Sequence, residues 1–287
     1  MPQLEVPEID LSRYSNRQLV APPVVVILLA LVVIAGTFAM TGSPVALGTE
    51  FTGGTELRVV TPSAQADVTE PFSADVESVQ PVQTQANTYV VTFGPDADAA
   101  QQKSLAQDAG FEVPLSSSTS PTFGDSTQRM ALLGVGVAFA GMSLVVFALF
   151  RTFVPSIAVV VSAFGDIVVP VALMNLFGIE LSLGTVAALL MLIGYSVDSD
   201  ILLNNHVLRR SGDFYESVYS AMRTGITMTT TSIAAMTVMA IVAFLFGIDL
   251  LTSIGIVLVF GLATDLMNTY MMNVTLLRWY KFEGVAR

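Results

Sequence analysis

The chain has 287 residues, of which 53% are hydrophobic and only 12% are charged; this composition excludes an ordinary soluble domain and indicates a membrane protein. With no cysteine and a single histidine, it offers no disulfides, thiol nucleophiles or Cys/His zinc sites, so we predict neither a cofactor nor a metal site. The formal net charge of −11 argues against nucleic acid as a partner, and an acidic surface of this kind is typical of salt-loving organisms.

Six apolar runs are long enough to cross about 30 Å of hydrocarbon. The first run is longer than the roughly 7–15 residues of a signal peptide, so we interpret it as a retained span. The sequence therefore predicts an α-helical polytopic protein of the lipid bilayer with six transmembrane helices. Their approximate limits are 20–41, 129–150, 154–177, 183–205, 225–247 and 251–275.

The segment between the first two runs, residues 42–128, has the composition of a soluble domain. "TELRVV" (55–60) and "NTYVVTF" (87–93) are rich in β-branched residues and predict strands. "DADAAQQKSLAQDAG" (96–110) predicts a short helix, and "SSSTSPTFGDS" (116–126) predicts a flexible connection to the second span. We expect one small α+β domain outside the membrane, between helices 1 and 2.

Basic residues indicate the orientation of the spans, because arginine and lysine concentrate at cytoplasmic ends. Nine of the twelve basic residues lie on one predicted side: Arg13, Arg17, Arg151, Arg209, Arg210, Arg223, Arg278, Lys281 and Arg287. Both termini are therefore predicted to be cytoplasmic, in the cell membrane. The predicted organisation is a cytoplasmic segment (1–19), helix 1 (20–41), an extracytoplasmic domain (42–128), helices 2–6 (129–275) and a cytoplasmic tail (276–287).

Four aspartates lie within the predicted spans: Asp166, Asp198, Asp200 and Asp265. A charged group at bilayer depth costs several kcal/mol, so such residues face a protein interior or water. Arg223, at the predicted cytoplasmic start of the fifth span, is the basic residue best placed to meet them. We hypothesise a proton or ion relay in which Arg223 pairs with a deprotonated aspartate and releases it on protonation.

Asp198 and Asp200 point about 200° apart on a helix, so they cannot both face one partner. We favour the deeper Asp198 as the inward residue, with Arg223 as its partner and Asp265 as a second acceptor at the same depth. Two alternatives stay open from the residues alone. Asp200 can be an interfacial residue that reaches headgroup water, and Asp265 can be a purely structural hydrogen-bonding residue.

Three motifs together resemble the SecD/SecF family of protein-export membrane proteins. "GTEFTGGTEL" (48–57) resembles the opening of the external domain of SecF, "GYSVDSDILL" (194–203) resembles the archaeal form of the fourth-span motif, and "MRTGITMTTTS" (222–232) is similar to the fifth-span arginine followed by threonines. The motif residues that we single out are Gly53, Gly54, Gly194, Tyr195 and Ser196.

Carried over by motif, the family's fourth-span acidic position falls on Asp198, Ser199 or Asp200, and its fifth-span arginine falls on Arg223. The resemblance implies a six-helix half of the twelve-helix resistance-nodulation-division (RND) architecture, completed by SecD beside the SecY channel. It also implies a function: assisting the export of polypeptide substrates with a proton or sodium gradient, while the external domain moves as the relay titrates.

Two other functions stay open at this point. One is an RND-type transporter of small molecules or lipids, although a transporter complete in one chain is expected to show paired halves. The other is a passive scaffold subunit of the translocon, which would not need charges in its spans. Enzymatic catalysis has the least support because no nucleophile, base and orienting group can be assembled, and we predict that the chain is not an enzyme.

Overall fold

The computed structural model describes residues 11–82, 86–209 and 213–284. Its helices are α1 (Asn16–Thr41), α2 (Thr49–Thr52), α3 (Ala99–Asp108), α4 (Pro121–Phe150), α5 (Phe153–Phe177), α6 (Leu183–Arg209), α7 (Phe214–Leu245), α8 (Asp249–Met267) and α9 (Val274–Trp279). Its strands are β1 (Gly54–Val60), β2 (Val76–Pro81), β3 (Thr88–Phe93) and β4 (Glu112–Thr119). Short 3-10 turns lie at Leu11–Arg13 and Gln65–Asp67, and π-helical turns lie at Asn268–Asn273 and Tyr280–Gly284.

Within the described residues, six helices are long and apolar enough to cross a membrane, which confirms the predicted number of spans. They are α1, α4, α5, α6, α7 and a long last helix, in which α8 continues through the π turns and α9. The helices extend beyond the apolar runs, because α7 begins at Phe214 rather than at 225. Arg223, expected at the start of the fifth span, therefore lies about 14 Å along α7 at 1.5 Å per residue.

Several helix ends follow their capping signals. Ser15 precedes α1 and forms a reciprocal capping box with Gln18, which satisfies N–H groups that have no partner within the helix. Gly42 and Gly178 end α1 and α5 with φ angles of 76° and 67°, a left-handed conformation that glycine adopts without strain. The short turn after Gly178 lets α6 return antiparallel to α5.

The long helices pack around α8, which contacts α5, α6 and α7. Small residues allow close approach, because a Cβ on Gly255 would lie 2.8 Å from the Ala240 Cβ of α7. A Cβ on Gly261 would clash with the Leu192 side chain of α6. In contrast, α4 exposes most of its apolar surface, including Met130.

The domain between α1 and α4 is a four-stranded antiparallel sheet in the order β2-β3-β1-β4, with α3 adjoining β1 and β4. Leu57 of β1 pairs with Val91 of β3, and both side chains are fully buried with Phe93 and Ala106. Strands β1 and β3 and helix α3 lie where the sequence predicts them. Strands β2 and β4 are additional.

The predicted flexible connection at 116–126 is wrong. Ser116 and Ser117 belong to β4 and pair with Leu57 and Glu56 of β1, so backbone pairing orders a stretch whose composition is typical of a loop. Pro121 then begins α4, where the missing N–H of proline is not needed. The second long helix consequently starts at 121 rather than at 129.

Candidate functional site

Three of the four aspartates in the predicted spans lie in the interior of the bundle. Asp166 on α5, Asp200 on α6 and Asp265 on α8 are 1%, 0% and 2% exposed. At 1.5 Å per residue they lie about 20, 26 and 24 Å from the first residues of their helices. These residues form the membrane cluster described below.

A threonine hydroxyl connects two of the carboxyl groups. Thr269 Oγ lies 2.8 Å from Asp200 Oδ1 and 3.2 Å from Asp265 Oδ1. Asn273 donates a further hydrogen bond of 2.7 Å to the same Asp200 oxygen. The other oxygen, Asp200 Oδ2, is buried and has no hydrogen-bond partner among the described residues.

Serine and asparagine side chains extend the cluster to the third carboxyl group. Ser199 Oγ lies 2.8 Å from Asp265 Oδ1 and 2.9 Å from the carbonyl oxygen of Ser196. The Ser196 hydroxyl donates to Asp166 Oδ2 at 2.6 Å, and the Asn268 amide donates to Asp166 Oδ1 at 2.7 Å. The three carboxyl groups therefore belong to one connected polar network across α5, α6 and the last long helix.

The first π turn supplies most of the polar groups that α8 and its continuation bring to this network. Such wide turns within α-helices occur frequently at functional sites. In a helix, residues three, four and eight positions after Asp265 share its face. The π turn contributes the fully buried Asn268, Thr269 and Asn273.

The structure reverses the preference for Asp198 as the inward residue. Asp198 is exposed on α6, whereas Asp200 is fully buried, because the face of α6 that packs on α5 and α8 includes Ser196, Ser199 and Asp200. The Asp200 carboxyl group is 0% exposed, so it does not reach surrounding water in this structure. Helix α6 continues for nine residues after it, about 14 Å.

Arg223 lies on the exposed side of α7, and the hydrogen bonds to the three buried carboxyl groups described above come from serine, threonine and asparagine side chains. The pairing of Arg223 with Asp198 stays a prediction. In the part of the chain that the structure describes, no group of three or more His, Cys, Asp or Glu side chains is arranged to hold a metal ion.

A cavity of about 390 Å³ between α6, α7 and α8 brings Asp198 close to the cluster. Asp198 and the half-exposed Tyr195 line it, together with Ser199 and Gly225. Ser199 also contacts the Asp265 carboxyl group, so the Ser199 side chain lies between the cavity and the membrane cluster.

Sequence reasoning missed Asn268, Thr269 and Asn273, although a signal for them was present. These polar residues interrupt an apolar span at the helical spacing from Asp265 given above. Ser162 was missed too, and its buried hydroxyl has no partner among the described residues. No spacing rule would have identified it, because it lies on α5 and meets the site only in the folded bundle, where the Asn268 amide donates to its carbonyl oxygen at 3.5 Å.

The comparisons with known proteins agree with the motifs. The family model for the C-terminal part of the protein-export membrane proteins SecD and SecF matches residues 100–283. The protein-export membrane protein SecF of Haloferax volcanii is 65% identical over 288 residues, with 100% of both chains covered. The chain belongs to the SecF family. SecF of Haloquadratum walsbyi is 63% identical over 292 residues, again with 100% of both chains covered.

A solved structure has the same fold. The crystal structure of SecDF, a translocon-associated membrane protein from Thermus thermophilus, superimposes with a TM-score of 0.70 at 19% identity. The match covers 93% of this chain and 38% of the SecDF chain. This family membership agrees with the multi-pass architecture of six long helices and one small sheet domain.

Proposed function

We propose that this chain is an accessory subunit of the Sec protein-export machinery that acts with SecD beside the SecY channel and uses an ion gradient. Two observations support the assignment to export: the chain is a SecF family member along its full length, and the SecDF fold covers nearly all of it. The membrane cluster supports the use of an ion gradient. The substrates are then polypeptides on their way out of the cytoplasm.

The orientation is part of the proposal. An even number of spans leaves both termini on one side and the sheet domain on the other. Arginines at the ends of the helices, such as Arg151 between α4 and α5, favour a cytoplasmic location for the termini. Arg210 and Arg287, which contribute to the same count, lie outside the described residues.

The proposal of a relay rests on the position of Thr269. A hydroxyl group has one proton to donate, so it can hydrogen-bond two carboxyl groups at once only if one of them is protonated and donates to it. Thr269 Oγ is within hydrogen-bonding distance of Asp200 and Asp265. One shared proton therefore fits this arrangement, and its transfer from one carboxyl group to the other requires only short shifts along two hydrogen bonds.

Neutral partners suit such a relay. Hydroxyl and amide groups hydrogen-bond a carboxyl group in both of its protonation states, whereas an arginine in the same place would hold the ionised form. The cavity beside Ser199 offers a route by which water or an ion reaches Asp265 from the Asp198 side. Exchange of the proton changes the charge between α6 and α8, which shifts their preferred packing.

The test compares two neighbouring aspartates on α6. Asp200→Asn removes the titrating group and keeps its shape, so we expect it to abolish the stimulation of export by an imposed ion gradient. Asp198→Asn, on the exposed face, should leave a measurable part of that stimulation. The measurement is translocation of a secretory substrate into membrane vesicles, with and without the gradient, alongside recovery of SecD by affinity purification as a control for assembly.

Normal gradient-stimulated export in Asp166→Asn, Asp200→Asn and Asp265→Asn alike would refute the relay and leave a scaffold function. Loss of SecD recovery in Asp200→Asn would point to a role in assembly instead.

A further inference from the structure

The motif at 48–57 lies where the sheet domain meets the long helices. Just before it, the chain runs beside the turn between α5 and α6 and forms a parallel bridge of two hydrogen bonds. Leu181 N–H donates to Ala46 O at 2.7 Å, and Gly48 N–H donates to Leu181 O at 2.9 Å. We call residues 46–58 the joint.

Within the joint, Glu50 binds the first turn of α6. Its carboxylate Oε2 accepts a hydrogen bond of 2.5 Å from the N–H of Leu183, the first residue of α6. That N–H has no partner within its own helix, and a carboxylate at a helix N-terminus also interacts favourably with the helix dipole. The N–H groups of Ser182 and Thr185 are satisfied locally, by each other's hydroxyl groups. The N–H of Leu183 instead finds its partner in Glu50, 133 positions away in the chain.

The joint is packed rather than flexible. Gly54 has a φ of 134°, and a Cβ there would lie 2.5 Å from the carbonyl oxygen of Phe93 on β3. A Cβ on Gly124 of α4 would lie 2.6 Å from the carbonyl oxygen of Phe51, whose side chain is 2% exposed. Helix α2 is therefore held between the sheet, α4 and α6, with no free linker between Glu50 and β1.

A second contact connects the same sheet to α8. Arg58 of β1 lies with its Nη2 3.6 Å from Oδ2 of Asp249, the first residue of α8. The helices that carry Asp200 and Asp265 are thus both bound at the ends nearest the sheet domain: α6 to Glu50 of α2, four residues before β1, and α8 to Arg58 within β1. A change in the packing of α6 against α8 would be applied directly to this strand.

We propose that the joint is a mechanical connection in which Glu50 is a positioning residue: it fixes the sheet domain to α6, so that a shift of α6 relative to α8 reorients the domain. This inference rests on the proposed function, since the shift is the one that the membrane cluster would produce. The joint stays closed throughout, and the domain moves with α6.

The first experiment measures hydrogen exchange of the full chain in its complex with SecD at high salt. Glu50→Ala should speed exchange in the first turn of α6 and at residues 46–48 about tenfold, as expected for the loss of a hydrogen bond to a charged acceptor. Glu50→Gln should do less, because its amide oxygen still accepts a hydrogen bond. Glu70→Ala, an exposed carboxylate elsewhere in the domain, is the matched control and should change neither segment.

The same variants distinguish positioning from simple packing. Glu50→Ala should lower gradient-stimulated export several-fold with unchanged recovery of SecD, and Glu50→Gln should restore part of it. Unchanged exchange in the first turn of α6, or full export by Glu50→Ala, would overturn the proposal.

A second variant tests the closed joint and keeps the backbone hydrogen bonds of the bridge. The chain has no cysteine, so a Leu47→Cys, Leu181→Cys pair can form a single disulfide across the bridge. Oxidation should leave gradient-stimulated export within about twofold of the reduced protein, a change equivalent to only about 0.4 kcal/mol. Loss of export that a reductant reverses would show that the domain must leave α6, and would refute the joint while leaving the relay intact. Normal export by Asp200→Asn would refute the relay but not the exchange protection of the joint.

Discussion

The membrane cluster and the joint both use carboxyl groups, but they surround them differently. In the cluster, Asp166, Asp200 and Asp265 contact hydroxyl and amide groups that can stay bonded in either protonation state. At the joint, Glu50 accepts a hydrogen bond from a helix N-terminus and Asp249 forms an ion pair with Arg58. The first arrangement suits a group whose charge changes, and the second suits a lasting attachment.

The largest effect is expected from removing the hydroxyl group that joins two carboxyl groups of the membrane cluster. Thr269→Val keeps the volume but takes a donor from Asp200 and Asp265, which should lower the stability of the complex by about 3 kcal/mol, the upper part of the range for depriving a buried polar group of its partner. The measurement is the midpoint of thermal unfolding of the detergent-solubilised complex with SecD. The matched control is Thr264→Val, because the Thr264 hydroxyl donates to the carbonyl of Phe260 in its own helix and its loss should change the midpoint little. Equal shifts in both variants would contradict the special position of Thr269.

A smaller effect is expected from a glycine that makes room for the cluster. A Cβ on Gly165 would lie 2.6 Å from the amide nitrogen of Asn268, so Gly165→Ala should displace this side chain from Asp166 at a cost of about 2 kcal/mol. The same thermal measurement applies. Gly141→Ala on α4, where a Cβ meets no atom within 4 Å, should be neutral or slightly stabilising. A loss of stability in Gly141→Ala as large as that in Gly165→Ala would show that the clash is not the cause.

The smallest effect concerns pH at the joint. Burial raises the pKa of Glu56 above its ordinary value of 4.5; the Arg58 guanidinium opposes this shift, and Asp249 and Glu50 add to it. The folded domain therefore binds this proton more tightly than the unfolded chain does. The resulting stability is fully present below pH 4.5 and is lost as the pH rises through the raised pKa.

We expect the exchange protection of β1 and β3, corrected for intrinsic rates, to increase on acidification across this window, and Glu56→Gln to flatten that increase. Because Glu56 is only half-buried, solvent screening keeps the effect below about 1 kcal/mol. Glu70→Gln serves as the exposed control. A pH dependence that is identical in Glu56→Gln and the wild type would assign the effect to other groups.

The apolar runs were enough to predict six spans, because crossing hydrocarbon demands a length that few other structures need. The prediction that Asp198, rather than Asp200, faces the interior of the bundle was wrong. Depth along a helix can be counted from the sequence, but the face that turns inward depends on which neighbours pack there, and Ser196 and Ser199 decided it.

In the external domain too, the sequence did not show which segments would contact each other. Alternation and β-branched residues were sufficient for β1 and β3, whereas β4 is polar along most of its length and is ordered by pairing with β1. The role of Glu50 had no local signal at all, since its partner Leu183 is distant in the sequence.

The π turn at Asn268–Asn273 holds more residues per turn than the α-helical parts of the last helix. A wide turn holds one residue more than the regular helix would, and a change of its hydrogen bonds to the regular α-helical pattern would alter the rotation of the helix at that point. Such a change would turn everything beyond it about its own axis, including Arg278, whose guanidinium donates a hydrogen bond of 2.9 Å to the carbonyl oxygen of Tyr14. This contact joins residues near the two ends of the described chain. A rotation of the last helix at the membrane cluster would therefore also move the residues just before α1.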